Sequence, residues 1–176
     1  MSNDTHRLFV AIPIPEDLKV LISEKINSLH LPLKFIPAEN FHITILFMGN
    51  VSKVQMEESK VVLENISKEL SGFSLQLDSI ISKCNRHQHM LWVSFMNSPM
   101  FVECATKITE GLGFKLTRKP LPHVNLIRSK KKIHGDFPLK LDTVKFEVNS
   151  IELWKSALSP KGSTYSSLGS FPLKGM

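Results

Sequence analysis

The sequence predicts an α+β fold in which antiparallel or mixed sheets are flanked by helices and the chain forms two related lobes. Three observations point there. Apolar runs of strand length are interspersed with amphipathic helical stripes, and several strand runs follow one another like hairpin partners. A short pattern, His-x-polar-x, occurs at His42–Ile45 and again at His123–Leu126, nearly half of the 176-residue chain apart. Hydrophobic residues make up 42% of the chain against 22% charged, which is enough apolar material for a core.

RLFVAIPIP (7–15) is an apolar run ending in two prolines and reads as a strand. Glu16 and Asp17 suit a helix N-terminus, and Leu18, Leu21, Ile22, Ile26 and Leu29 recur at helical spacing, predicting a helix over 16–29. Pro32 and Pro37 bracket an extended stretch, after which FHITILFMG (41–49) alternates as a strand expected to stop at Gly49-Asn50. Ser52 and Gln55 have capping-box spacing, and Val54, Val61, Val62, Ile66 and Leu70 give the stripe of a second helix. Strand runs over Phe73–Ile81 and Met90–Met96 are joined by a polar turn. Ser98-Pro99 opens a third helix with Phe101, Cys104, Ala105, Ile108 and Leu112 on one face and Gly113 as its stop. From Pro122 the chain reads mostly as strands: HVNLI, VKFEV, SIELWKSAL and a tail near Tyr165–Phe171. With no low-complexity segment or long linker, residues 1–176 are expected to form a single two-lobed domain.

No apolar run approaches the ~20 residues of a membrane helix, and the first residues lack the basic and apolar blocks of a secretory signal, so a cytoplasmic monomer is expected. Cys84 and Cys104 stand in no paired-ligand spacing, which argues against a disulfide scaffold or a cysteine-rich zinc site. The 22 basic residues against 16 acidic give a net charge of +6, a balance that favours phosphate-rich partners. The distribution says more than the total. Lys115, Arg118, Lys119, Arg128, Lys130, Lys131 and Lys132 lie in one run with no Asp or Glu among them.

On a strand, residues i and i+2 share a face. His42 is therefore expected beside Thr44, with Ile43, Ile45 and Phe47 turned into a core; His123 is expected beside Asn125, with Val124 and Leu126 buried behind. If the two strands face each other across a cleft, two imidazoles flank a polar pocket with two neutral donors. That set suits in-line displacement at phosphorus: a neutral histidine takes a proton from attacking water, and a protonated one gives a proton to the departing oxygen. The Thr44 hydroxyl and Asn125 amide can hold the non-bridging oxygens as charge builds, so no metal or other cofactor is required. His6, His30, His87, His89 and His134 read as solvated; His87-Gln-His89 has the same-face spacing of a metal pair but lacks a third ligand. Phe9, Phe41 and Phe47 are expected to pack in the core, with a base-stacking wall as the alternative.

These segments and their flanks resemble the RNA 2′,3′-cyclic phosphodiesterase family, also called the 2′-5′ RNA ligase family, of the two-histidine (2H) phosphoesterases. RLFVAIPIP resembles its opening strand, PAENFHITILFMG (37–49) its first motif, PHVNLIR (122–128) its second, and SIELWKSALSPKGSTYSSL (150–168) its Ser-x-Leu…Gly-x-x-Tyr stretch. The likeness spans nearly the whole chain in the expected order. It implies two pseudo-symmetric lobes around a central cleft and metal-free hydrolysis of RNA 2′,3′-cyclic phosphate ends to 2′-phosphates. It implies His42 as proton donor and His123 as proton acceptor, with reversible 2′-5′ RNA ligation as a secondary activity. The implied partner is an RNA or oligonucleotide end, guided in by the basic run. Asn125 departs from the pattern, which has Thr there. Arg128 matches an arginine that often follows the second motif and is expected to contact phosphate. It lies an odd number of residues from His123, so it reaches the cleft only if the strand ends or bulges. Tyr165 stays outside the expected site. A phosphodiesterase for 2′-5′-linked oligonucleotides or small cyclic nucleotides is the same-fold alternative. An RNA-end-binding module with weak catalysis is the other, and Asn125 is what raises it.

Overall fold

Strands form where apolar alternation is strongest, and the computed structural model describes residues 5–85, 88–133, 137, 144–159 and 162–175. In chain order the elements are β1 (Thr5–Pro13), α1 (Glu16–Asn27), β2 (His42–Ser52), α2 (Lys53–Ser67), β3 (Phe73–Cys84), β4 (His89–Phe95), α3 (Pro99–Gly111), β5 (His123–Ser129), β6 (Lys145–Val148), β7 (Ser150–Ser159) and β8 (Gly162–Pro172). The strands make a sheet of order β6-β3-β4-β5-β2-β1-β7-β8 among the described residues. Each pairing between these strands is antiparallel. This is the α+β architecture the sequence predicts.

The duplication inferred from the two tetrads has a structural counterpart. β1-α1-β2 and β4-α3-β5 are both strand–helix–strand units whose outer strands pair antiparallel, and the second strand of each carries a tetrad. The sheet is thus two four-stranded halves, β2-β1-β7-β8 and β5-β4-β3-β6, that meet at β2 and β5.

Period-two alternation in β1 decides what lies on each side. Leu8, Val10 and Ile12 join the main core with Ile43 of β2, Val124 of β5, Leu18, Ile22 and Ile26 of α1, Leu63 of α2, and Phe101 and Ile108 of α3. Burial of each such side chain contributes roughly 1.5–3 kcal/mol. Phe9 and Ala11 point the other way and join Trp154 in a small second cluster, with Tyr165 against it. Phe41 is buried, as expected.

The helices start and stop on the expected signals. Ser52 and Gln55 form a reciprocal capping box (Gln55 N–H to Ser52 Oγ 3.2 Å, Ser52 N–H to Gln55 Oε1 2.9 Å). Ser98 accepts from Phe101 N–H at the head of α3. At the tail of α3, Gly113 adopts φ +78° while its N–H donates to Glu110 O (2.9 Å) and Phe114 N–H donates to Thr109 O (2.9 Å). This double closure launches the basic segment 114–121.

Two expectations need correction. β2 does not stop at Gly49: that residue takes φ +77° beside a bulge, and the strand runs on to Ser52 against Thr5–Leu8. The α2 stripe differs in part: Leu70 is buried and Ile66 packs against the core as expected. Ser59, Leu63 and Ser67, however, take the buried face of the helix, whereas Val54 and Val61 are 67% and 63% exposed. Both serines return their hydroxyls to helix carbonyls, Gln55 O and Glu64 O, so they are buried with their hydrogen bonds made and leave no apolar trace in the sequence. His87 and His134 lie outside the described residues.

Candidate active site

The seam between the two halves positions the tetrads. Ile43 of β2 pairs with Val124 of β5, and both are fully buried. In an antiparallel ladder this register sets His42 opposite Asn125 and Thr44 opposite His123, all on the face away from the main core. The tetrads therefore lie side by side on neighbouring strands instead of facing each other across a gap. The histidines are diagonal neighbours, a backbone spacing of roughly 7–8 Å that admits a phosphate between the rings.

A bulge interrupts each strand just beyond its His-x-polar core. In β2 the register against β1 shifts between Val10 and Ala11, which face Leu46 and Thr44 and leave Ile45 as the additional residue. In β5 the register against β4 shifts between Leu91 and Trp92, which face Ile127 and Asn125 and leave Leu126 additional. Each extra residue reverses the facing of the residues after it. Leu126 and Ile127 are consequently both fully buried, and Arg128 is returned to the face of His123. The condition on which Arg128 depended is met. The first bulge corrects the expectation for Phe47: it is 49% exposed and lines the cleft instead of packing in the core. Arg7 lies over its ring at 4.7 Å.

Both imidazoles are held in the same way. His42 Nδ1 lies 2.7 Å from Asn40 O, and His123 Nδ1 lies 2.8 Å from Leu121 O. A carbonyl only accepts, so each Nδ1 carries a proton and each Nε2 is left for chemistry. Burial pushes the His42 pKa from an ordinary 6.5 down to about 4, against the Asn40 carbonyl, and the nearby Arg128 and His123 charges push it further the same way. Burial also lowers His123, with Arg118, Arg128 and Lys83 adding to the effect and the Leu121 carbonyl opposing it. His42 sits among aromatic rings, with centroids of Phe9, Trp154 and Tyr165 at 4.9, 5.1 and 5.2 Å. His123 instead stacks on Trp92 at 3.7 Å and 21°. The Trp92 indole N–H donates to Asn125 Oδ1 (2.8 Å).

Two compartments open from this centre and share Thr44, Phe47 and Arg128. One, about 350 Å³, is bounded by His42, Arg7, Ser156, Leu158, Ser163 and Tyr165. The other, about 500 Å³, is bounded by Trp92, His123, Asn125 and the segment with Lys115, Arg118 and Lys119. No carboxylate lines either among the described residues, so the whole cleft favours anions. Nor do the described residues gather three or more His, Cys, Asp or Glu side chains able to hold a metal ion. All five expected site residues, His42, Thr44, His123, Asn125 and Arg128, thus border one cleft. Tyr165 and Trp92, absent from the expected site, border it too. The Gly-x-x-Tyr stretch signals the first, and no sequence pattern signals the second.

The chain matches the family model for LigT-like phosphoesterases over residues 12–92. It is 31% identical over 171 residues to the RNA 2′,3′-cyclic phosphodiesterase of Methanocaldococcus jannaschii, covering 90% of this chain and 96% of the relative. It is 22% identical over 181 residues to the protein of the same name from Methanothermobacter thermautotrophicus, covering 95% and 98%. The crystal structure of E. coli LigT complexed with 3′-AMP superposes with a TM-score of 0.82 at 22% identity, covering 97% of this chain and 99% of that one. No helix among the described residues is long and apolar enough to cross a membrane. With near-full-length identity above 30% to one relative and the same fold in another, the chain belongs to the LigT-like family of 2H phosphoesterases.

Proposed function

We propose that this phosphoesterase opens 2′,3′-cyclic phosphates at RNA ends to 2′-phosphates, using His42 and His123 as an acid–base pair. The observation that carries the reading is the seam: two imidazoles on one face, each with Nδ1 tied to a carbonyl and Nε2 free. Water attacks phosphorus in line with the ribose 3′ oxygen. His123 Nε2 takes the water proton, and His42 Nε2 delivers a proton to the departing 3′ oxygen. The Thr44 hydroxyl, the Asn125 amide and the Arg128 guanidinium hold the non-bridging oxygens as charge accumulates. With the 5′-hydroxyl of a second RNA in place of water, the same transfers leave a 2′-5′ linkage. The names of the curated relatives support the substrate.

One observation favours the reverse division of roles. His42 is the more deeply buried ring, held down to about 4, so in the free protein it is better suited to accept a proton than to carry one. An anionic phosphate between the rings raises both and restores a proton to the pair, whose titration belongs to the two rings together. The test is hydrolysis of a 2′,3′-cyclic nucleotide with product analysis, and then of a diester whose leaving group departs without protonation. The reading expects 2′-phosphate as product, turnover that survives excess chelator, and rescue of His42→Ala but not His123→Ala by the activated diester. Rescue of His123→Ala alone would reverse the two roles, and no hydrolysis by the intact protein would overturn the function.

A further inference from the structure

We infer that Trp92 is a positioning residue for the second tetrad, holding His123 by stacking and setting the Asn125 amide so that its NH₂ faces the cleft. The inference rests on the proposed cyclic phosphodiesterase reading and adds to it the reason that Asn can stand where the family pattern has Thr.

The geometry comes from the strand pairing. Trp92 and Asn125 are direct partners across β4 and β5, at the bulge that turns Arg128 into the cleft. The indole N–H is a donor only, so the atom it meets at 2.8 Å is the amide oxygen, and the identity of the two amide ends is fixed by chemistry. With Oδ1 engaged, Nδ2 and its two N–H donors point to the remaining side of the planar group. Asn125 lines one compartment together with Trp92 and His123, so these donors are what the amide has left to offer an anion bound there. An unanchored amide would present its oxygen, which repels phosphate, as readily as its nitrogen. A threonine hydroxyl has no such ambiguity, because it rotates to donate. The same indole covers His123 at 3.7 Å and 21°, while the Nδ1–H bond to Leu121 O fixes the ring from the other end. Trp92 therefore touches both groups of one tetrad. The first tetrad has no equivalent arrangement: His42 is packed among Phe9, Trp154 and Tyr165, and Trp154 donates to Glu152 instead of to Thr44.

The test is a set of variants assayed on a 2′,3′-cyclic nucleotide, with melting temperature measured throughout. Trp92→Phe keeps a stacking ring and removes the N–H. It should lower kcat roughly 10- to 100-fold, the scale for losing orientation of a reacting group, with KM and the pH profile nearly unchanged. In an Asn125→Thr background the same substitution should have no effect on kcat, since a hydroxyl needs no indole to orient it. Trp92→Leu removes the stack as well and should move the NMR titration of His123, read without reference to turnover. An inert wild type would overturn the underlying reading. An active wild type with Trp92→Phe equally active, or equally impaired with Asn and with Thr at 125, would overturn the role of Trp92.

Discussion

Acid should weaken this fold through His42, and the size of the effect is set by its burial. The unfolded chain binds a proton on this residue near 6.5, whereas the folded chain binds it only near 4. Between those values the unfolded state holds more protons, so stability is fully present above pH 6.5 and is lost as pH falls toward 4. Linkage puts the loss from this one site at about 2 kcal/mol at pH 5 and about 3 kcal/mol at pH 4. His123 is lowered too and acts in the same direction. Replacing His42 by Gln removes the proton site while leaving a polar side chain of similar length. Urea denaturation of both proteins at pH 7.5 and pH 5 gives the comparison. Far-UV circular dichroism is the appropriate signal, because Trp154 lies 5.1 Å from His42 and its fluorescence would report the titration itself. Wild type should lose about 2 kcal/mol more than His42→Gln over that interval. Equal losses would show that His42 is not held neutral in the folded protein.

Three further outcomes are expected of the cleft. Both histidines are lowered, so the pH profile of kcat/KM on a cyclic nucleotide should be a bell centred on the acid side of 6.5, while kcat peaks nearer neutrality because bound phosphate favours the protonated pair; a kcat/KM optimum above pH 7 would contradict this. Asn125→Ala should raise the barrier by about 2–4 kcal/mol with little change in melting temperature, and Asn125→Thr should change turnover only modestly; an Ala variant as fast as wild type would remove Asn125 from phosphate binding. Phe47→Ala should raise KM for an oligonucleotide by roughly 5- to 100-fold with kcat preserved, since a base stacked on an aromatic ring contributes about 1–3 kcal/mol; an unaltered KM would return Phe47 to a purely structural role.

The strands and helices are legible in the sequence because their apolar spacing is regular and their caps are chemically explicit, as at Ser52, Gln55 and Gly113. The tetrads are legible because His42, Thr44, His123 and Asn125 interrupt apolar strands at alternate positions, where a polar side chain must face something other than the core. The features that stay hidden depend on registers set between strands. Nothing in Ile45 or Leu126 announces a bulge, yet each decides where the residues after it point, Phe47 in one strand and Arg128 in the other. The adjacency of β2 and β5 is similarly a property of the whole sheet, and it converts two separate motifs into one square of side chains. Trp92 is hidden because its importance lies in its cross-strand partner, Asn125, 33 residues away.

The central claim is that His42 and His123 act as one unit, and turnover of the single and double variants on a 2′,3′-cyclic nucleotide tests it most directly. His42→Ala and His123→Ala should each lower kcat by roughly 10²-fold or more, and the double variant should fall far short of the product of the two losses. Circular dichroism on the same samples establishes that each variant is folded. If either single variant is folded and turns over at close to the wild-type rate, the paired acid–base account of this cleft is wrong.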